Sequence, residues 1–291
     1  MGKALADAFP ICRETLEQAD AALGDALSRI VFDGPDETLT LTENAQPALV
    51  AVSTAACRLL ASRGVTPAFV AGHSLGEYSA NVAAGTIAFE DAVKIVRKRG
   101  RYMQEAVPVG TGAMAAILGL DAEKVAQACA EAAQGEIVSP ANINGAGQIV
   151  IAGATAAVAR ASERAKALGA RRAIPLPVSA PFHCAMMKPA EDRLAPELRA
   201  LATNTPRVPI VANVDAELKT DAKSAIDALV AQVSSPVRWE AVVQRLAKEG
   251  VTTYVEVGPG TVLSGLVKKI HKDAKVLSFG SPEDLAAVMS A

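Results

Sequence analysis

The sequence predicts an α/β protein: a mostly parallel sheet with helices on both faces, carrying an inserted ferredoxin-like α+β subdomain. Two observations predict it. Towards both ends of the chain, short apolar runs alternate with helix-period segments, the pattern of parallel strands joined by crossover helices. In the middle the order changes to β-α-β-β-α-β, bordered by Pro108, Gly110 and Gly112 on one side and Pro175 and Pro177 on the other. The expected division is a large domain over 1–107 and 179–291 and a small subdomain over 108–178. With 291 residues, 51% of them hydrophobic and only 3% aromatic, the core must be built from Ala, Val, Leu and Ile.

The elements follow in order. Residues 3–30 read as a helix, with Leu16, Ala19, Leu23 and Leu27 at helical spacing. FDGPDETL reads as a loop, and residues 46–63 as a second helix capped by Gly64. PAFVAG is a short strand, followed by helices over 77–84 and 89–107. The small subdomain reads AMAAILGL (strand), DAEKVAQACAEAA (helix), EIVSPANI and QIVIAG (a hairpin around 144–147), TAAVARASERAKALG (helix) and ARRAIPLP (strand). Beyond it come helix 185–202, strand VPIVANV, helices 221–233 and 238–250, strand TTYVEVG and helix 261–272.

Composition narrows the function. A net charge of −2 gives no basic field for nucleic acid or a membrane surface. Cys12, Cys57, Cys129 and Cys184 form no CxxC pair and read as reduced thiols of a cytoplasmic protein. His73, His183 and His271 show no metal-ligand spacing, and no signal peptide or membrane-length apolar run is present.

The chemistry centres on Gly72-His73-Ser74-Leu75-Gly76. A strand, then G-x-S-x-G, then a helix is the setting of a nucleophile elbow, a turn expected to be too tight for side chains at either flanking glycine. Ser74 is the candidate nucleophile, and the Leu75 N–H, at a helix N-terminus, a candidate oxyanion donor. His73 is a poor base for its neighbour, because adjacent side chains on such a turn diverge; it is expected in a structural or ligand-contact role. His271, in the basic VKKIHKDAK, reads as a solvated charge at a helix end. His183, delivered by the proline-bounded loop PLPVSAPFHC, is the candidate base. No Asp or Glu stands out as its orienter.

On the helix EDAVKIVRKRGRYMQEAV, Arg99 falls within the apolar stripe of Ala92, Val96, Tyr102, Met103 and Ala106, while Arg97, Lys98 and Arg101 fall to its sides. An inward arginine needs a partner: a carboxylate of the protein, a carboxylate of a ligand, or a path to solvent. Gly258-Pro259-Gly260 reads as a structural tight turn, and Asn213, at the end of a strand, either faces the cleft or merely closes the strand, the second being favoured.

GHSLGEYSA, KRGRYMQEAVPVGTGAMAAILGL, PLPVSAPFHCAMMKPA, QVSSPVRW and YVEVGPGTVLSGL together resemble the malonyl-CoA:acyl carrier protein transacylases of type II fatty acid synthesis, in order along the whole chain. The resemblance implies a hydrolase-like α/β domain with a ferredoxin-like insert. It implies ping-pong transfer of a malonyl group from malonyl-CoA, through malonyl-Ser74, to the phosphopantetheine thiol of holo acyl carrier protein. His183 would be general base and acid, Arg99 the clamp on the malonyl carboxylate, and the Gln232 main-chain carbonyl the orienter of His183. Asn144 and its loop would line the cleft, and Phe182 before His183 matches the Phe-His pair of malonyl-selective members. No cofactor and no metal are implied, since malonyl-CoA is a substrate, and a cytoplasmic monomer is expected. Family members open with a strand bearing a Phe-Pro-Gly-Gln-Gly-Ser-Gln segment, whose glutamine gives a second oxyanion N–H. Here Met1-Gly2-Lys3-Ala4-Leu5 matches the part just downstream. The natural protein is therefore expected to begin further upstream, an expectation that fails if its N-terminus proves to be Met1 or Gly2. Two other readings fit parts of the pattern: a serine thioesterase or esterase, for which Arg99 has no use, and a shortened acyltransferase that binds carrier protein or coenzyme A but turns over poorly.

Overall fold

A computed structural model describes residues 1–178 and 180–291. Helices α1 (Lys3–Ala8), α2 (Pro10–Leu23), α3 (Leu27–Asp33) and α4 (Asp36–Thr40) open the chain. The single helix expected over 3–30 is thus broken twice. Phe9 is extended ahead of Pro10, which has no N–H to continue a helix, and Gly24 ends α2 at φ 69°. The stretch expected as a loop holds the end of α3 and most of α4.

Helix α5 (Thr42–Ser62) is the buried spine of the large core. It packs against α7 (Phe89–Glu105) and α2, burying Ala48, Val50 and Ala51 with Leu16, Val93 and Val96. Between α5 and α7 lie the two-residue strand β1 (Val70–Ala71) and helix α6 (Gly76–Ala83).

Strands β2 (Gly112–Leu118), β3 (Val138–Ile143), β4 (Gln148–Ala154) and β5 (Arg172–Pro175) form one antiparallel sheet, ordered β3-β4-β2-β5. With α8 (Ala122–Ala132) and α9 (Thr155–Ala167) on one face this is the ferredoxin-like arrangement. Ile117, Ile149 and Ile151 of the sheet bury against Val125, Val158 and Ala161 of the helices. These elements lie within 108–178, which we propose as the small subdomain; Ser179, where the second part of the large domain was expected to begin, lies outside the described residues.

The chain returns through α10 (Lys188–Arg199), β6 (Ile210–Val211), β7 (Leu218–Lys219), α11 (Ala222–Gln232), α12 (Trp239–Lys248), β8 (Thr253–Val257), α13 (Val262–Ile270), β9 (Lys275–Phe279) and α14 (Leu285–Met289). β1 pairs parallel with β6, and β8 parallel with β9; β7 adds antiparallel to β6. β7 and β9 have no counterpart in the sequence reading. The small sheet is sewn to the large part by backbone bonds at the end of β3: Val237 N–H donates to Ala141 C=O at 2.8 Å, and Ile143 N–H to Val237 C=O at 2.8 Å.

Candidate active site

Ser74 sits between β1 and α6 with φ 51°, a left-handed backbone that a residue bearing a Cβ adopts only when its surroundings enforce it. One side chain does the enforcing. Asn213, fully buried just past β6, accepts the Ser74 N–H on Oδ1 at 2.7 Å and donates from Nδ2 to the Gly72 carbonyl at 2.8 Å. The parallel pairing of Val70 with Ile210 and Ala71 with Val211 brings Asn213 alongside the turn. A Cβ on Gly72 would lie 2.0 Å from the Gly76 carbonyl carbon, so glycine is obligatory there. Gly76 has open space where its Cβ would be, so tightness explains only the first of the two glycines. The Leu75 N–H, ahead of α6, finds no backbone acceptor among the described residues and is free for an oxyanion.

His183 reaches Ser74 from the loop after β5. Its Nε2 lies 2.6 Å from Ser74 Oγ, and its Nδ1 lies 3.0 Å from the Gln232 main-chain oxygen. A carbonyl only accepts, so Nδ1 carries the proton and Nε2 is free to take the one from Ser74. Burial, and then the nearby Arg99 charge, push the His183 pKa down to about 3, against the pull of the Gln232 carbonyl. At neutral pH the imidazole is uncharged, as a base must be.

Arg99 is 2% exposed and has no carboxylate within 4 Å among the described residues. Its partners are neutral. Nη1 donates to Gln46 Oε1 at 2.7 Å, and Nη2 donates to Gln232 Oε1 at 3.0 Å and Ser74 Oγ at 3.2 Å. The guanidinium lies 5.3 Å from the Tyr78 ring centre, and its Nε has no partner among the described residues. Of the three fates open to an inward arginine, internal ion pairing and escape to solvent are therefore both absent. Burial lowers its pKa, against the pull of Tyr78 and Glu77 nearby, and its direct hydrogen-bond partners are all neutral.

His73 points away from Ser74. Its Nε2 meets Asn144 Oδ1 at 2.9 Å and its ring tilts against Trp239 at 5.7 Å. That contact docks the β3–β4 loop of the small sheet, with Asn144, against the serine turn. Phe182 is half-buried and packs against both the large core and the face of the small sheet bearing Met114 and Val150. His271 belongs elsewhere, hydrogen-bonded to Tyr254 at 3.1 Å. Among the described residues no His, Cys, Asp and Glu side chains gather into a metal-binding group.

Three site residues escaped the sequence reading. Asn213, favoured as a strand-end residue, instead clamps the Ser74 turn. Glu77 is 1% exposed, and its Oε2 accepts from Gln232 Nε2 at 2.7 Å and from the Asn213 N–H at 3.1 Å. Gln46, within the helix expected over 46–63, accepts from Arg99 Nη1. The one available signal was polar residues at buried helical positions, and a single sequence does not separate those from surface ones.

A family model described as an acyl transferase domain matches residues 1–284. The chain belongs to that acyl transferase family. The malonyl CoA-acyl carrier protein transacylase of Escherichia coli is 51% identical over 286 residues, covering 98% of this chain and 93% of that protein. The crystal structure of an acyl carrier protein S-malonyltransferase from Vibrio cholerae superposes with a TM-score of 0.97 at 49% identity, covering 99% and 94% of the two chains. A malonyl-transacylase solved in complex with the acyl carrier protein of a type II polyketide synthase matches with a TM-score of 0.96 at 46% identity, covering 99% of this chain and 93% of that one. Chemically, a hydroxyl next to a neutral imidazole can be activated for attack, a free N–H at a helix start can stabilise an oxyanion, and a buried cation can hold an anionic group.

Proposed function

We propose that this acyl transferase moves a malonyl group from malonyl-CoA to the phosphopantetheine thiol of holo acyl carrier protein, by two displacements at Ser74. The observation that carries this reading is Arg99: a buried cation, held only by neutral groups, 3.2 Å from the hydroxyl that would carry the acyl group. A planar guanidinium there suits bidentate capture of the free carboxylate of a malonyl group.

Ser74 Oγ attacks the thioester carbonyl as its proton passes to His183 Nε2, and the Leu75 N–H stabilises the oxyanion. The tetrahedral species collapses, the C–S bond breaks, and coenzyme A leaves with the proton from His183. The carrier thiol then attacks the malonyl-Ser74 ester, giving its proton to His183, which returns it to Ser74 Oγ as the ester breaks. A carbonyl orients His183 here where hydrolases of this chain order use a carboxylate. A thiol ionises far more readily than water, so the weaker base suffices for transfer and disfavours hydrolysis.

The malonyl carboxylate has a second effect. Paired with Arg99 it neutralises the charge that depresses His183, so a correctly placed substrate raises the basicity of the group that must act on it. The protein needs no cofactor on this reading and works as a cytoplasmic monomer. Separately, no helix among the described residues is long and apolar enough to cross a membrane.

The test is intact-protein mass after brief incubation with malonyl-CoA. The expected result is a gain of one malonyl group, absent in Ser74→Ala and discharged by holo carrier protein. Labelling that survives in Ser74→Ala, or ester hydrolysis without labelling, overturns the reading.

A further inference from the structure

Gln232 serves the site twice. Its main-chain oxygen holds His183, and its side chain lies across the floor beneath Ser74. That amide is fully committed. Oε1 accepts from Arg99 Nη2 at 3.0 Å, while Nε2 donates to the Ser74 carbonyl at 2.8 Å and to Glu77 Oε2 at 2.7 Å. The orientation matters, because a flipped amide would point its NH2 at the guanidinium, donor against donor. Two acceptors on the far side fix it, the Ser74 carbonyl and Glu77, and of the two only Glu77 is a side chain.

The same Glu77 oxygen takes the Asn213 N–H at 3.1 Å, and the Asn213 side chain is what clamps the Ser74 turn. Glu77 lies in the first turn of α6, three residues after the serine, so helix geometry brings it back under the turn it supports. Two chains of hydrogen bonds therefore begin at one buried oxygen. One runs through Gln232 to Arg99, and the other through Asn213 to Ser74.

We infer that Glu77 is a positioning residue that sets the spacing between the nucleophile Ser74 and the carboxylate anchor Arg99, and so the preference for an acyl group bearing a free carboxylate. This rests on the function proposed above. A malonyl group spans that spacing with its carbonyl at one end and its carboxylate at the other. An acetyl group touches only the first. Loosening Arg99 relative to Ser74 must then harm malonyl transfer selectively, whereas a merely structural residue would reduce both in proportion to the protein left folded.

Burial raises the Glu77 pKa to about 7, with Asp215 adding and Gln232, Asn213 and Arg99 opposing. A neutral carboxyl still accepts both bonds through its carbonyl oxygen, and a glutamine offers the same acceptor. Glu77→Gln should therefore preserve the arrangement, and Glu77→Leu should not.

The experiment is rapid-quench loading of the 291-residue chain from malonyl-CoA and, separately, acetyl-CoA, with a thermal melt for each variant. In Glu77→Leu the malonyl rate should fall about tenfold or more, and the malonyl-to-acetyl ratio about fivefold, the scale of one buried hydrogen-bond partner removed. Glu77→Gln should restore the ratio to within about threefold of wild type, since the acceptor is retained. If Glu77→Leu does not fold, Gln232→Met carries the same expectation, because it cuts the link to Arg99 and leaves the main-chain carbonyl and Asn213 in place. A folded Glu77→Leu or Gln232→Met with an unchanged ratio, including one that loses both activities equally, overturns the inference alone. A wild-type chain that takes no malonyl group overturns the proposed function and this inference with it.

Discussion

Two sheets meet at the site, and they are built in opposite ways. The centre of the small sheet is a regular ladder: β2 pairs with β4 residue for residue from Gly112 with Ala154 to Leu118 with Gln148, over a core rich in isoleucine, valine and alanine. The sheet under Ser74 consists of two-residue strands, and its loops are held by polar side chains: Asn213 on the serine turn, Gln232 on Ser74 and Arg99, Glu77 on both. The small sheet spends its order on packing. The region under Ser74 spends it on holding a few polar atoms in fixed positions. Substitutions should therefore reduce activity in the second region and local stability in the first.

The largest expected effect tests the polar side. His183→Ala removes the imidazole hydrogen-bonded to Ser74 and should cut the acyl-loading rate by about 10²–10⁴-fold, the usual contribution of a general base. A loss smaller than about tenfold would move the base elsewhere. Arg99→Ala comes next. Malonyl loading should fall about 10²-fold, the worth of a charge-assisted bidentate contact. Acetyl loading should be spared or rise, because His183 is freed from the positive charge that lowers its basicity. Equal losses for both acyl groups would remove the carboxylate anchor from the mechanism.

The contrast between the sheets also marks what was legible. The small sheet, its two helices and helices α5, α7 and α10 to α13 of the large part follow from periodicity, because regular elements bury a repeating face. Ser74 and Arg99 were legible because each breaks a local rule: a serine in a glycine-flanked turn, and a charge within an apolar stripe. Gln232 entered only through resemblance, since its main-chain role leaves no mark on residue type. Asn213 and Glu77 stayed hidden because their partners lie 139 and 155 positions away along the chain, and only the fold brings them together. β1 and β6 are shorter than PAFVAG and VPIVANV suggested, because after two paired residues in each the backbone turns away to present Ser74 and Asn213.

A paired substitution sharpens the comparison directly. Asn213→Leu leaves the Ser74 N–H and the Gly72 carbonyl without their partner, and should lower kcat for malonyl loading by about tenfold or more at a stability cost of about 1–3 kcal/mol. Ile117→Ala, in the fully buried heart of the small sheet, should cost about 2–5 kcal/mol of stability while the folded fraction keeps kcat within about twofold. Chemical denaturation and single-turnover loading on the same samples give both numbers. If Ile117→Ala cost as much activity as Asn213→Leu, the division of labour between the sheets would be lost.

The smallest effect is a slope. His183 has its pKa lowered from 6.5 to about 3 in the folded protein, so between those values the unfolded chain binds a proton that the folded one does not. Stability from this group is present above pH 6.5 and lost as the pH falls towards 3. Glu77 has its pKa raised from 4.5 to about 7, so the folded protein holds the extra proton; its contribution is present below pH 4.5 and lost as the pH rises through 7. Between pH 4.5 and 6.5 the two oppose each other, proton for proton. Glu77→Gln removes one side of the balance and keeps the hydrogen bonds. Its stability, measured by urea denaturation at pH 5 and 6.5, should climb with pH more steeply than that of the wild type, by on the order of 1 kcal/mol per pH unit. Parallel curves would mean that Glu77 is ionised in the folded protein across this range, a permanent counter-charge to Arg99. Arg99 would then meet a malonyl carboxylate already half satisfied, and the contrast between a region ordered by packing and one ordered by uncompensated polar contacts would lose its strongest example.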